Sequence, residues 1–190
     1  YPFAPLELHV DTDRLSGHAT RGEGLAFRLL TAGGTVRATA RAVAGASNRF
    51  EVRLRDEDGR AVTLRAGDVL ESEVPADMWA CADGSTAVIA ERLSYGFGPA
   101  NGLTVDGPPN RPIRIELTLA DGRELRIVRH SDGHGHLAIP QAPPRSDWSL
   151  GQVRAVRLVL DTPSGHRIVR EGRLDPGPPP TPVPPEPVPG

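Results

Sequence analysis

"PIRIELTLADGRELRIV", residues 112–128, decides the fold. Ile113, Ile115, Leu117 and Leu119 alternate with Arg114, Glu116 and Thr118. A period of two puts one apolar and one wet face on an extended strand. Asp121-Gly122 suits a tight reversal, after which Leu125 and Ile127 return in the same alternation. The segment reads as a β-hairpin in need of an apolar surface to cover.

The same pattern recurs outward from it. "FEVRLR" sets Phe50, Val52 and Leu54 against Glu51, Arg53 and Arg55, and Asp58-Gly59 turns the chain after it. "VRLVLD" passes through Pro163-Ser164-Gly165 into "HRIVRE". The alanines of "TVRATARAV" suit a helix, but Val36, Ala38, Ala40 and Ala42 alternate with Thr35, Arg37, Thr39 and Arg41, which predicts a strand. Only "ADMWACA", residues 76–82, is expected to hold a short helix. The predicted class is all-β.

A weak internal repeat aligns Gly17 with Gly107, Gly34 with Gly122, Phe50 with Leu137 and Gly67 with Gly151. Each copy, roughly 85 residues, has room for six or seven short strands, the scale of an Ig-like sandwich. The expected organisation is an extended N-terminal segment over 1–13, a first antiparallel β-sandwich over 14–90, a second over 91–174 and a Pro-rich tail over 175–190. With Gly17 and Gly107 opening each copy and "SDGHGHLAIP" in the second, the chain resembles bacterial extracellular tandem β-sandwich modules of the Ig-like or carboxypeptidase-regulatory-like type. Ser131, Asp132, Gly135 and Leu137 fit that pattern, whereas "AGASNRF" in the first copy lacks the Asp. The resemblance spans at most residues 14–174 and implies a stalk, adhesin repeat or filament subunit at the cell surface rather than an enzyme.

Composition excludes several classes. A net charge of −2 and a pI near 6.3 give no bulk attraction to nucleic acid or anionic lipid. Arg residues interleaved with acids, among only two Trp, two Tyr and four Phe, make no nucleic-acid stripe. All 22 basic residues are Arg, so no Lys–Asn isopeptide bond can form and no Lys can accept a sortase transfer. Cys81 is the single cysteine, leaving a buried small side chain or a disulfide between subunits. No apolar run approaches the roughly 18 residues of a spanning helix, so no membrane insertion is expected.

Neither G-x-S-x-G nor H-E-x-x-H occurs, so no catalytic residues and no cofactor are expected. His130, His134 and His136 are the weak candidates for metal, since imidazole suits Zn, Cu or Ni. A closed zinc site needs a fourth ligand that this stretch lacks, so the expectation is no metal. An EF-hand register with Gly59 at its sixth position would put Leu54 at the first, which fails; Asp56 and Asp58 read as turn formers.

The two ends carry the functional expectation. In "YPFAPLELHV", Pro2 and Pro5 disfavour a central strand, and Leu6, Leu8 and Val10 alternate. The segment is either an edge strand of its own first sandwich or an exchanged strand docking on a neighbour, with Tyr1, Phe3, Leu6 and Leu8 as anchors. "SYGFG", with Tyr95 and Phe97, is a receiving groove or a link between copies. Nine of the last sixteen residues are Pro, which sets a polyproline II tail. At about 3.1 Å per residue its last fifteen residues reach about 45 Å, with little entropy left to lose on docking. Pro179, Pro180, Pro182, Pro184 and Pro185 would clasp a neighbouring copy, and Thr181 is a candidate O-glycan acceptor. The expectation is a structural subunit of an extracellular bacterial filament, a helical homopolymer of this chain, with glycans as a further candidate partner and no nucleic acid. The alternative is a surface adhesin or carbohydrate-binding module cut from a larger protein, although Trp79 and Trp148 read as core.

Overall fold

A computed structural model describes residues 6–72, 87–98, 102–143 and 146–174. The hairpin forms as β10 (Pro112–Leu119) and β11 (Glu124–His130), with Ile115 opposite Ile127 and Leu117 opposite Leu125. Gly122, at φ +84°, takes the left-handed turn position and donates its N–H to the Leu119 carbonyl at 3.0 Å.

The two copies correspond strand for strand. The first holds β1 (Glu7–His9), β2 (Arg14–His18), β3 (Gly24–Leu30), β4 (Val36–Val43), β5 (Arg49–Arg53), β6 (Val69–Ser72) and β7 (Ala87–Ile89). The second holds β8 (Ser94–Gly98), β9 (Gly102–Asp106), β10, β11, β12 (His136–Ile139), β13 (Val153–Asp161) and β14 (Arg167–Arg173), with one turn of 3-10 helix at Leu150–Gln152. Among the described residues there is no α-helix. The order β4-β3-β6-β7 in one copy matches β11-β10-β13-β14 in the other, and β1-β2-β5 matches β8-β9-β12. The two copies therefore share one four-on-three arrangement.

They are not separate in the sheet plane. β1 lies between β2, antiparallel, and β14, parallel, with Glu7 opposite Arg167, Leu8 opposite Ile168 and His9 opposite Val169. One seven-stranded sheet results, in the order β11-β10-β13-β14-β1-β2-β5. Parallel pairing needs a long crossover, which the rest of the chain supplies here. The four-residue link between β7 and β8 supplies none, and those strands stay in different sheets.

The core lies between the sheets. The Phe27 ring stacks on Phe50 at 5.5 Å and 26°, tying β3 to β5. In the second copy Tyr95 lies over Gly172, where any Cβ would collide with its hydroxyl, and Arg170 sits 5.9 Å from the Tyr95 ring. Each fully buried aliphatic side chain contributes about 1.5–3 kcal/mol relative to exposure.

The N-terminal expectation needs correction. Leu6 and Leu8, read as anchors on a neighbour, are 2% and 0% exposed in this chain's own core. β1 is no edge strand either: the Arg167 N–H donates to the Leu6 carbonyl and the Val10 N–H to the Val169 carbonyl, both at 2.9 Å. Both flanks of β1 are hydrogen-bonded and its apolar side is covered, so withdrawing it would strip the seam between the copies. Tyr1, Phe3, the segment 76–82 with Trp79 and Cys81, the tail prolines and Thr181 lie outside the described residues.

Candidate functional site

Alternate residues of the seven-stranded sheet face away from the core, and their cross-strand register makes one row. Arg126 of β11 lies 3.4 Å from Glu116 of β10, which lies 2.9 Å from Arg157 of β13, which lies 3.0 Å from Glu171 of β14. Each of these pairs is directly opposite in the strand register. β1 interrupts the sequence of charges with His9, so Glu171 reaches over it to an ion pair with Arg14 of β2. Arg14 continues to Glu51 of β5 at 3.8 Å. Alternating signs thus cross from one edge of the sheet to the other. Opposite charges directly across strands stabilise the pairing.

The middle of this ladder is the candidate site, a hollow of about 470 Å³ lined by Glu7, His9, Arg14, Ser16, Arg167 and Glu171 among others. His9 is 5% exposed. Its Nε2 is 2.9 Å from Ser16 Oγ, and its Nδ1 is 2.9 Å from the Arg14 guanidinium and 3.7 Å from Glu171. A serine, a histidine and a carboxylate in that order have the outline of a nucleophile with its base. The donors decide against it. A guanidinium only donates, so Nδ1 must accept, and Nε2 carries the hydrogen that it gives to Ser16. An imidazole in that tautomer cannot take the serine proton.

Electrostatics agree. Burial first, then the Arg14 charge, holds His9 below its ordinary 6.5, against the pull of Glu171 and Glu7. Burial would raise Glu7, but Arg157, His9 and Arg167 outweigh it and the carboxyl stays below 4.5. Burial would likewise lower Arg157, but its hydrogen bond to Glu116 and the Glu7 charge prevail. Glu7 is 3.1 Å from Arg157 and 3.4 Å from Arg167. The ions stay charged and the histidine neutral, which is the chemistry of a clamp between strands of both copies.

No protein-family model matches this chain. No curated protein matches it. Among solved structures it is similar to the tetra-tandem repeat in the extending region of a large adhesion protein, at 15% identity over 91% of this chain and 50% of that one, with a TM-score of 0.31. It is also similar to the BSP domain of a biofilm associated protein, at 11% identity over 94% of this chain and 30% of that one, with a TM-score of 0.29. This chain spans half the length of the first and under a third of the second. At these TM-scores the likeness defines no function.

The residues singled out by sequence fall elsewhere. His130, His134 and His136 are all exposed. Asp132 Oδ1 accepts the backbone N–H groups of His136 at 2.9 Å and His134 at 2.8 Å, which lowers its own carboxyl pKa and shapes the β11–β12 turn. The His136 imidazole pairs with Asp106. Among the described residues no three His, Cys, Asp or Glu side chains group to hold a metal ion. Asp56 caps its turn, accepting from the N–H groups of Asp58 and Arg60 at 3.0 and 2.8 Å. Tyr95 turns inward, Trp148 packs against the core, and Phe97 stands 42% exposed. The ladder itself escaped sequence reading, except that the Asp121-Gly122 turn already sets Glu116 opposite Arg126.

Proposed function

We propose that this chain is a load-bearing structural unit of a bacterial extracellular filament or stalk. The parallel pairing of β1 with β14 carries the reading. These are the first and last strands of the described fold, they are neighbours, and they run the same way. Tension applied through both chain ends pulls β1 toward its start and β14 toward its finish. That is shear: the bonds from Leu6 to Val10 are loaded together instead of one after another. The Glu7–Arg167 pair and the buried Leu8 must break in the same event. An unzipping geometry would load one rung at a time.

A surface location suits the reading, and no helix among the described residues is long and apolar enough to cross a membrane. Its proposed partners are copies of itself. β1 is occupied, so contacts fall to the exposed sheet faces and to the flanking residues, including Tyr1, Phe3, Pro179, Pro180, Pro182, Pro184 and Pro185. Thr181 is the proposed O-glycan acceptor. Catalysis is not proposed, because the Ser16–His9–Glu171 arrangement among the described residues has the wrong tautomer. A carbohydrate-binding role is less supported, because stacking on sugars wants an aromatic platform and Phe97 is the only aromatic among the described residues that is exposed.

Single-molecule pulling tests the reading. Attached through its two ends, the chain should resist a higher force than when attached across the β10–β11 hairpin at residues 112 and 130. Equal or lower resistance through the ends would remove the load-bearing role. Glycan-array binding together with weak end-to-end resistance would favour the adhesin alternative.

A further inference from the structure

We propose that the outer face of β4-β3-β6-β7 docks on the outer face of β11-β10-β13-β14 of a second copy of this chain, head to tail. The inference deepens the filament reading and rests on it.

On the first of these sheets Val36 lies opposite Leu30, Leu30 opposite Val69 and Val69 opposite Ile89. One aliphatic row therefore runs across all four strands on the side that faces away from the core. Val36 is 49% and Ile89 61% exposed, with Leu30 and Val69 half-buried between them. Three strand spacings make the row about 14 Å long. The solvent side of an antiparallel strand ordinarily carries polar residues. The neighbouring row does so, with the Arg28–Glu71 pair at 3.0 Å.

The equivalent row of the other copy has the opposite shape. Glu124 lies opposite Thr118, Thr118 opposite Ala155 and Ala155 opposite Arg173. Small residues occupy the two middle positions, where the first copy has Leu30 and Val69. They floor a trough of about 730 Å³ on the outer face, walled by Glu116, Glu124, Arg126, Arg157, Glu171 and Arg173. The two sheets share strand order, so the ridge and the hollow occupy corresponding positions on corresponding surfaces. Arg126 and Glu171 beside the trough offer both signs of charge to Arg28 and Glu71 beside the ridge. Ridge and trough lie on different copies within the chain, so every docked molecule leaves one of each free. A heterologous contact of this kind propagates unless a rotation closes it.

Sedimentation velocity over a concentration series of the full chain tests this. Ile89→Arg breaks the ridge and Ala155→Trp fills the trough; Val36→Arg and Thr118→Arg repeat the test if either variant fails a thermal-melt check. The parent should show mass growing past dimer. Each variant alone should associate about tenfold more weakly or worse, as loss of a central apolar contact does. A mixture of ridge and trough variants should stop at dimer, because it holds one intact ridge and one intact trough per pair. A trough variant that associates like the parent while the ridge variant does not would mean ridge-on-ridge dimers and overturn the proposal. Variants that all behave as parent would overturn it too. A monomeric parent that still resists end-to-end force would sink this contact and leave the load-bearing reading standing.

Discussion

Leu8→Ala distinguishes a strand built into its own chain from one kept free for a neighbour. Leu8 is 0% exposed, opposite Ile168 on one side and Leu15 on the other. Truncating a fully buried leucine removes its transfer energy and leaves a cavity, about 3–5 kcal/mol together. Against a total stability of about 5–15 kcal/mol that is a large fraction. For a chain of this size each kcal/mol moves the melting temperature by about 2–4 °C, so a fall of about 6–20 °C is expected. Because β1 joins both copies, the loss should appear as one transition, followed by calorimetry and circular dichroism at dilute concentration. Val128→Ala, at a residue 56% exposed on the edge strand β11, should stay within about 0.5 kcal/mol of parent. A Leu8→Ala chain that melts with the parent and merely loses self-association would refute the placement of β1.

Three further outcomes follow from the same geometry. The folded His9 titrates below its ordinary 6.5, so the unfolded chain binds more protons as pH falls. Its stabilisation is complete above that value and is lost as pH drops through the folded pKa; urea midpoints at about pH 7.5 and about pH 5.5 should differ less in His9→Asn. Arg157→Met leaves Glu7, Glu116 and Glu171 without their common cation and should cost about 1–3 kcal/mol, less at high salt, by denaturant titration. An unchanged midpoint at low salt would mean that the ladder is idle. Gly135 sits at φ +87°, and a Cβ there would collide with the Gly107 carbonyl, so Gly135→Ala should destabilise by at least about 1–3 kcal/mol. Gly133→Ala, with open space around it, should not.

The hairpins were legible because each is local: alternation names the buried face and a Gly turn sets the register, as at Asp121-Gly122. The duplication was legible in part: Gly34 and Gly122 hold the same turn position and Phe50 and Leu137 the same place in β5 and β12, whereas Gly17 pairs with Phe50 and the residue opposite Leu137 is Val105, not Gly107. The seam was not. Leu6, Leu8 and Val10 announce a strand with one covered face, but backbone hydrogen-bonding groups are alike at every residue, so nothing local says which strand lies alongside. Pro2 and Pro5 pointed to an edge, yet both precede the three residues that enter the sheet. The buried His9 and its guanidinium partner became visible only once Arg14 and Glu171 were brought to the same face across β1.

The most direct test places cysteines at Glu7 and Arg167, opposite one another across the β1–β14 seam, in a Cys81→Ser background. Neighbouring strands are about 4.8 Å apart, within reach of a disulfide. On oxidation at dilute concentration, non-reducing electrophoresis and intact mass should show a monomer two hydrogens lighter, closed on itself. Disulfide-linked ladders, or free thiols in a folded chain, would contradict the single seven-stranded sheet.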